Sequence, residues 1–311
     1  MTAAARPDLR EGGAWTLAQR AKNDVIFVLA RAALFFARRA SRDRLVRFGR
    51  FAGALAHALG FGLRSRARSN LAIAFPAASA SVRRALARAA FENLGADLGD
   101  AIASLDAPVA LLPMPDGSRA VLREALAEGR GVVLPSAHLG PWERLAATLV
   151  ASGFPLTAVV RESYDPRFDA LVTAVRARAG VRTIPRGGPG AATRIVRVLR
   201  SGGVLGVPMD LRTRAESARV PLLGAPAATP VGPARIALRT GAPVVVSTVE
   251  PQEGADLAVT CTRVETRDLA PGDDVALTAR INAELGRRIR QIPERWLWMH
   301  PRFEPLRDEV L

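Results

Sequence analysis

Residues 131–143 read Gly131-Val-Val-Leu-Pro135-Ser-Ala-His138-Leu-Gly140-Pro141-Trp-Glu143. A short apolar run bounded by glycine and proline has the length of a buried strand and is too short for a buried helix. Pro141 fits a first helical position, where a missing N–H loses no partner. The stretch therefore predicts strand, loop, helix, and the same punctuation extends outward from it. Upstream, a helix from Arg119 to Glu128 ends near Gly129. Downstream, the helix from Pro141 is stopped at Gly153, and strand Leu156 to Val160 follows. Helix Asp165 to Ala179 stops at Gly180, before strand Val181 to Ile184. Helix Ala191 to Leu199 stops at Gly202-Gly203, before strand Val204 to Pro208. The polar, Pro- and Gly-rich residues 211–229 predict a long loop. Helix Pro233 to Arg239 ends at Gly241; strands Val244 to Val249 and Leu257 to Val264 and helix Val275 to Ile292 follow. Short apolar strands alternating with helices predict an α/β fold, with a mainly parallel central sheet flanked by helices.

The first 70 residues have a different character. They hold 14 Lys/Arg against 4 Asp/Glu, a net +10 out of the chain's +15. A helix is predicted over residues 15–40, with an apolar run from Val25 to Ala37 broken only by Arg31 and closed by Arg38-Arg39. That run is 13 residues long, whereas a bilayer-spanning helix needs about 20. A second uncharged stretch, Phe51 to Leu63, contains Gly53, His57, Gly60 and Gly62. Both predict basic amphipathic helices lying in a membrane interface with arginines toward anionic head groups. A single anchor with snorkelling arginines, or ordinary helices packed on the core, are the alternatives. The polar start carries no signal-peptide pattern. The expected division is residues 1–70 as a basic, membrane-associating helical segment and residues 71–311 as the α/β domain.

Composition closes off several classes. Hydrophobic residues make up 49% of the 311, too many for a disordered chain. Aromatics are only 5%, which disfavours a base-stacking nucleic-acid surface. The single cysteine, Cys261, excludes a disulfide framework or a cysteine zinc site, and its place in an apolar strand makes it a core thiol. No P-loop, nucleophile elbow or His-Glu-x-x-His motif is present. His57, His138 and His300 are scattered along the chain, which disfavours a metal cluster; His57 reads as a helix residue without chemistry.

The informative site is the loop after the strand at 131–135. In open α/β sheets, ligands bind outside the carboxyl ends of the strands. A Glu143 in the first helical turn can reach back to His138, fix its tautomer and leave the other ring nitrogen as a base. Free N–H groups at the helix start can hold a developing oxyanion. The residues alone leave a second reading open, a helix cap with a hydrogen-bonded histidine.

Residues 138–143, His-Leu-Gly-Pro-Trp-Glu, resemble the His-x4-Glu signature of the bacterial lipid A late acyltransferases, the lauroyl/myristoyl group of the lysophospholipid acyltransferase superfamily. That group usually has Asn where Pro141 stands. Further elements are similar in the same order: Asn70 to Pro76, Val159-Val-Arg161, Arg176-Ala-Arg178, Val220 to Arg235, and Trp296-Leu-Trp-Met-His300-Pro-Arg302-Phe. The resemblance covers roughly residues 65–304. It implies an acyltransferase with His138 as general base and Glu143 as its partner. It places Arg161 and Arg176 near the acyl carbonyl or an acceptor phosphate. It makes Asp210 the first acid of an Asp-x-Asp-like element that contacts the acceptor, with Thr229 and Arg235 shaping the same pocket. The second acid is replaced here, since the chain reads Asp210-Leu-Arg212, and Arg219 stands where an aromatic residue is usual. Trp296, Trp298 and His300 are expected to pack rather than react.

The resemblance further implies transfer of a fatty acyl chain from acyl carrier protein or acyl-CoA to a hydroxyl of a lipid A precursor or related glycolipid. No metal or organic cofactor is implied, and no nucleic-acid partner. The place would be the cytoplasmic face of a bacterial inner membrane. A lysophospholipid or an amino-acid lipid is the alternative acceptor. An acyl thioesterase, or a surface binder using the arginine excess, are the alternative functions.

Overall fold

The computed structural model describes residues 15–37, 39–161, 165–213 and 215–304. The polar start of the chain and Arg38, expected to close the first helix, lie outside the described residues. Four helices come first: α1 (Leu17–Ala37), α2 (Arg42–Leu59), α3 (Phe61–Ala74) and α4 (Ala80–Ala103). The alternating part follows as α5 (Asp116–Ala127), β1 (Val132–Ser136), α6 (Trp142–Ala151), β2 (Leu156–Val160), α7 (Pro166–Arg178), β3 (Arg182–Pro185), α8 (Ala191–Arg200) and β4 (Val204–Pro208). It ends with β5 (Ser217–Leu222), β6 (Ala225–Pro230), α9 (Gly232–Thr240), β7 (Val244–Gln252), β8 (Ala255–Val264) and α10 (Asp274–Gln291).

The main sheet has the order β3-β2-β4-β1-β7-β8. Every pairing in it is parallel except β7 with β8. This is the expected α/β architecture. The inner strands are covered on both faces, which is why β1 and β4 are continuous apolar runs rather than alternating ones. One expectation fails. Residues 211–229 are not a long loop, because β5 and β6 form a separate antiparallel hairpin. Pro221 and Pro226 face one another in its register, and Leu223 (φ 55°) and Gly224 (φ 91°) make the turn.

The N-terminal helices are tied to this body. Residue 70, the boundary read from the sequence, falls inside α3. Ala67 and Leu71 of that helix are fully buried in the shared core, and Asn70 donates to the carbonyls of Trp298 (2.7 Å) and His300 (2.8 Å). Helices α2 and α4 touch backbone to backbone. A Cβ placed on Gly49 would collide with the Gly95 carbonyl, one on Gly53 with that of Phe91, and one on Gly99 with that of Leu45. The pairing of 45 with 99, 49 with 95 and 53 with 91 makes the helices antiparallel. Replacing Gly95 with leucine is expected to lower stability by at least the ~1–3 kcal/mol of an overpacked core. A thermal melt checks this, and an unchanged midpoint would show that the helices separate freely.

While one side of α2 meets α4, Phe48, Phe51, Leu55 and Leu59 form an exposed apolar stripe on another side. Among the described residues, no helix is long and apolar enough to cross a membrane. Cys261 is the expected core thiol, and burial pushes its pKa up. At the other end of the chain, the fully buried Arg288 pins α10 to β7 and β8 through Thr248, Thr260 and Thr262, with its charge met by Glu284.

Candidate active site

The site is built where two neighbouring parallel strands end. Ser136 of β1 is paired with Pro208 of β4, and Met209 N–H donates to the Ser136 carbonyl (2.9 Å). His138 and Asp210 each lie two residues beyond these paired ends, so the topology sets them side by side. The loop carrying His138 is held from outside. Leu139 bridges to Trp296, and Gly140 N–H donates to the Arg295 carbonyl (2.9 Å). Gly140 has φ 63°, a left-handed conformation that glycine adopts without strain. Helix α6 then starts at Trp142, after Pro141, and among the described residues no side chain caps its first N–H groups.

Asp210 is fully buried and uses both oxygens. Oδ2 accepts from the His138 backbone N–H (2.9 Å) and from Trp296 Nε1 (2.8 Å). Oδ1 lies 2.9 Å from His138 Nδ1. An ionised carboxylate only accepts, so Nδ1 carries a proton and Nε2 presents its lone pair. Burial alone would raise the Asp210 pKa, but the His138 charge and the converging donors outweigh it and hold the group below its ordinary value. For His138, burial alone would lower the pKa, but the charge and hydrogen bond of Asp210 outweigh it and raise the imidazole above its ordinary value. Among the described residues, Nε2 has no hydrogen-bond partner, and about a quarter of the side chain is exposed. Trp142 packs edge-on against the ring at 5.2 Å.

This arrangement corrects the expected dyad. Glu143 does not accept from the imidazole. It accepts twice from Arg176, at 3.0 Å from Nε and 2.5 Å from Nη2. Glu143 and Arg176 act on His138 only through their fields, in opposite directions. The expectation that Asp210 contacts the acceptor fails too, because the group is buried beneath the imidazole with every oxygen engaged. Sequence separation hid the true pair. The signal that would have found it is the strand order, since residues leaving adjacent parallel strands meet at the sheet edge.

The other expected residues divide. Arg161 is exposed just beyond β2, on the same carboxyl edge. Arg235 is committed elsewhere, to Glu216 (2.6 Å) and Asp274 (2.5 Å), and no contact brings it to His138. Thr229 is buried and accepts from Asn282 (2.9 Å) and Arg302 (2.6 Å), a packing role. Arg212 donates to the Glu304 carbonyl (3.4 Å), and Arg219 is exposed on β5. Trp298 packs at right angles to Trp296 (4.6 Å). Trp296 does more than pack, since its indole N–H orients Asp210. Burial lowers the His300 pKa to about 4, so that ring is neutral near pH 7, and it lies within the field of Asp210 and His138. His57 packs edge-on against Phe91 (5.4 Å).

A base must be deprotonated to act. The rate kcat/KM is therefore expected to rise with pH as His138 loses its proton, with a midpoint above the ~6.5 of a free imidazole. A pH–rate profile checks this, and a midpoint below that value would mean Asp210 is not ionised beside the ring.

Residues 18–304 match the family model described as bacterial lipid A biosynthesis acyltransferase. No curated protein matches the chain.

Proposed function

Because the chain belongs to the bacterial lipid A biosynthesis acyltransferase family and is thus an acyltransferase, we propose that it moves a fatty acyl chain from a thioester donor to a hydroxyl of a lipid A precursor or related glycolipid. The donor is acyl carrier protein or acyl-CoA. The observation that carries the reading is the Asp210–His138 pair, 2.9 Å apart, with Nε2 facing outward at the carboxyl edge of the sheet.

The chemistry follows from that atom. Nε2 takes the proton of the acceptor hydroxyl as its oxygen attacks the thioester carbonyl. Asp210 stabilises the imidazolium that forms. The uncapped start of α6 offers N–H groups and the positive end of a helix dipole to the oxyanion. As the tetrahedral centre collapses, the C–S bond breaks and the thiolate takes the proton from His138. Atoms balance with no protein nucleophile and no cofactor. Arg161, with its planar donor fork at the carboxyl edge, is the candidate to hold a phosphate of the acceptor or donor, whereas the fork of Arg176 is taken up by Glu143.

The same reading places the protein on a membrane surface, the cytoplasmic face of a bacterial inner membrane. Supporting this, large exposed apolar side chains gather on the N-terminal helices, among them Val28, Leu29, Phe35, Phe51 and Phe61. Arginines stack on two of these rings, Arg39 on Phe35 (3.9 Å) and Arg64 on Phe61 (4.8 Å). Aromatic side chains with arginines beside them suit an anionic lipid interface.

The test is purified protein with a dodecanoyl thioester, offered a lipid A precursor and, separately, a lysophospholipid, with products read by mass spectrometry. A precursor that gains one acyl chain is the expected result. Release of free fatty acid with both acceptors unchanged would make the protein a thioesterase, and acylation of the lysophospholipid alone would replace the acceptor.

A further inference from the structure

Two arginines are fully buried among the described residues, Arg288 at 0% exposure and Arg302 at 1%. A guanidinium taken out of water needs its charge met. Arg288 has that, with Glu284 at 2.7 Å and Glu250 at 3.5 Å. Arg302 forms no ion pair with any described residue. Its guanidinium donates to the Ala228 carbonyl and to Thr229 Oγ1 (2.6 Å), both neutral. Its Nε is buried as well and has no hydrogen-bond partner among the described residues. The exposed arginines that lack an ion pair have water to solvate them; Arg302 does not.

The acid whose charge reaches Arg302 is Asp210, itself fully buried. Burial lowers the Arg302 pKa to about 10, against the pull of Asp210, so the guanidinium stays charged near pH 7. The path of the chain after α10 explains the proximity. Trp296 gives its indole N–H to Asp210 Oδ2, and six residues on Arg302 reaches β6. Between them, Asn70 fixes the carbonyls of Trp298 and His300. The Asp210 oxygens are taken by His138 and Trp296. Arg302 therefore acts on the carboxylate through its field and not through a hydrogen bond.

We propose that Arg302 is a positioning residue for the reaction: its buried charge balances Asp210 and so holds the His138–Asp210 pair in the form that works as a base. This rests on the reading of His138 as the base of acyl transfer. With an imidazolium the pair is neutral; with a neutral imidazole it carries one buried negative charge. The second form is the reactive one, and burial disfavours it by drawing a proton back onto the pair. A fixed cation nearby removes that bias. The other groups in reach supply no such cation. Arg176 and Glu143 act on His138 from α7 and α6 in opposite directions and are bonded to each other. His300 is neutral near pH 7. Arg212 is partly exposed, and water screens it. The competing role for Arg302 is a staple between β6 and the end of the chain. A staple needs no charge, since a neutral amide can donate to the same carbonyl or hydroxyl without desolvating an ion.

The test is Arg302→Gln in the full chain, which keeps a donor and drops the charge, beside Arg302→Lys, which keeps the charge. Nitrogen-15 imidazole shifts follow the titration of His138, and a pH profile of kcat/KM runs alongside. Loss of a cation raises the proton affinity of the pair. The midpoint is therefore expected to move up by about one pH unit in Arg302→Gln, with turnover at pH 7 about tenfold lower and recovering at higher pH. Arg302→Lys is expected to stay near the wild type. An unchanged midpoint in Arg302→Gln leaves Arg302 a staple and overturns the proposal. So does a lowered one, the direction that mere loosening around the imidazole would give. Thermal melts cover the case in which Arg302→Gln folds poorly. The substitution is expected to lower the melting temperature less in an Asp210→Asn background, where there is no charge to balance. An equal drop in both backgrounds overturns the proposal. The His138 titration needs no lipid. The expected shift in a protein that acylates no lipid would keep the charge balance and overturn the acyl-transfer reading instead.

Discussion

Replacing His138 with alanine is expected to lower acyl transfer by about a thousandfold or more, within the range that a positioned general base contributes. The reason is local. Nε2 is the free ring nitrogen of the imidazole that Asp210 holds, and the side chain is partly exposed. Removing the ring also leaves Asp210 Oδ1 without its donor inside the protein. A buried acceptor left unpaired costs about 1–3 kcal/mol, so the alanine variant is expected to be somewhat less stable as well. His138→Asn separates the two effects. Its side-chain amide is placed to donate to Oδ1, as Nδ1 does, but it has no second ring nitrogen. It is expected to melt near the wild type and to be as inactive as His138→Ala. Turnover measured on both variants, with thermal melts alongside, decides the matter. Near-normal turnover in the well-folded asparagine variant would remove His138 as the base.

Much of the architecture was legible because glycine and proline punctuate this chain where its elements stop. Gly153, Gly180, Gly202 and Gly241 each follow a helix, and all four have positive φ, as helix-ending residues often do. The hairpin at 217–230 escaped for the opposite reason. Its turn is Leu223-Gly224 rather than the Asn-Gly or Asp-Gly pair that marks a two-residue turn. Its strands carry Pro221 and Pro226, residues that ordinarily argue against a strand. They are tolerated here because the hairpin is a two-stranded sheet of its own, so both strands are edges.

The site was half legible for a related reason. His138 and the loop geometry around it are local, and a strand-loop-helix pattern exposes them. Its partner is 72 residues away, and only the adjacency of β1 and β4 brings it close. Glu143 was the nearer acid in sequence, yet its helical position turns it toward Arg176 on α7. Trp296 was legible as a core residue from its size and setting. Its bond to Asp210 was not, because that depends on where the chain passes after α10.

Asp210→Asn is the sharper test, because the hydrogen bonds dictate how the new amide must sit. Oδ2 receives two N–H groups, from the His138 backbone and from Trp296. Only the amide oxygen of asparagine can take that place. Its NH2 group is then forced into the Oδ1 position, opposite Nδ1. Two donors cannot face one another, so the imidazole must leave Nδ1 bare and carry its proton on Nε2. That tautomer has no lone pair to offer the acceptor hydroxyl. The expected result is a fall in kcat on the order of a thousandfold, the scale associated with the wrong imidazole tautomer, in a protein of almost unchanged shape. The charge that raises the His138 pKa is lost as well, so whatever rate remains is expected to show its pH midpoint shifted down. Glu143→Gln is the comparison. It keeps a side chain of the same size but removes the charge opposite Arg176, and it leaves the Nδ1 bond to Asp210 in place. Its loss is expected to be smaller and to appear with no change of tautomer, which nitrogen-15 imidazole shifts report directly. A large loss in Asp210→Asn with Nδ1 deprotonated assigns the orienting role to Asp210. A large loss confined to Glu143→Gln, with Nδ1 still protonated in Asp210→Asn, would return that role to Glu143.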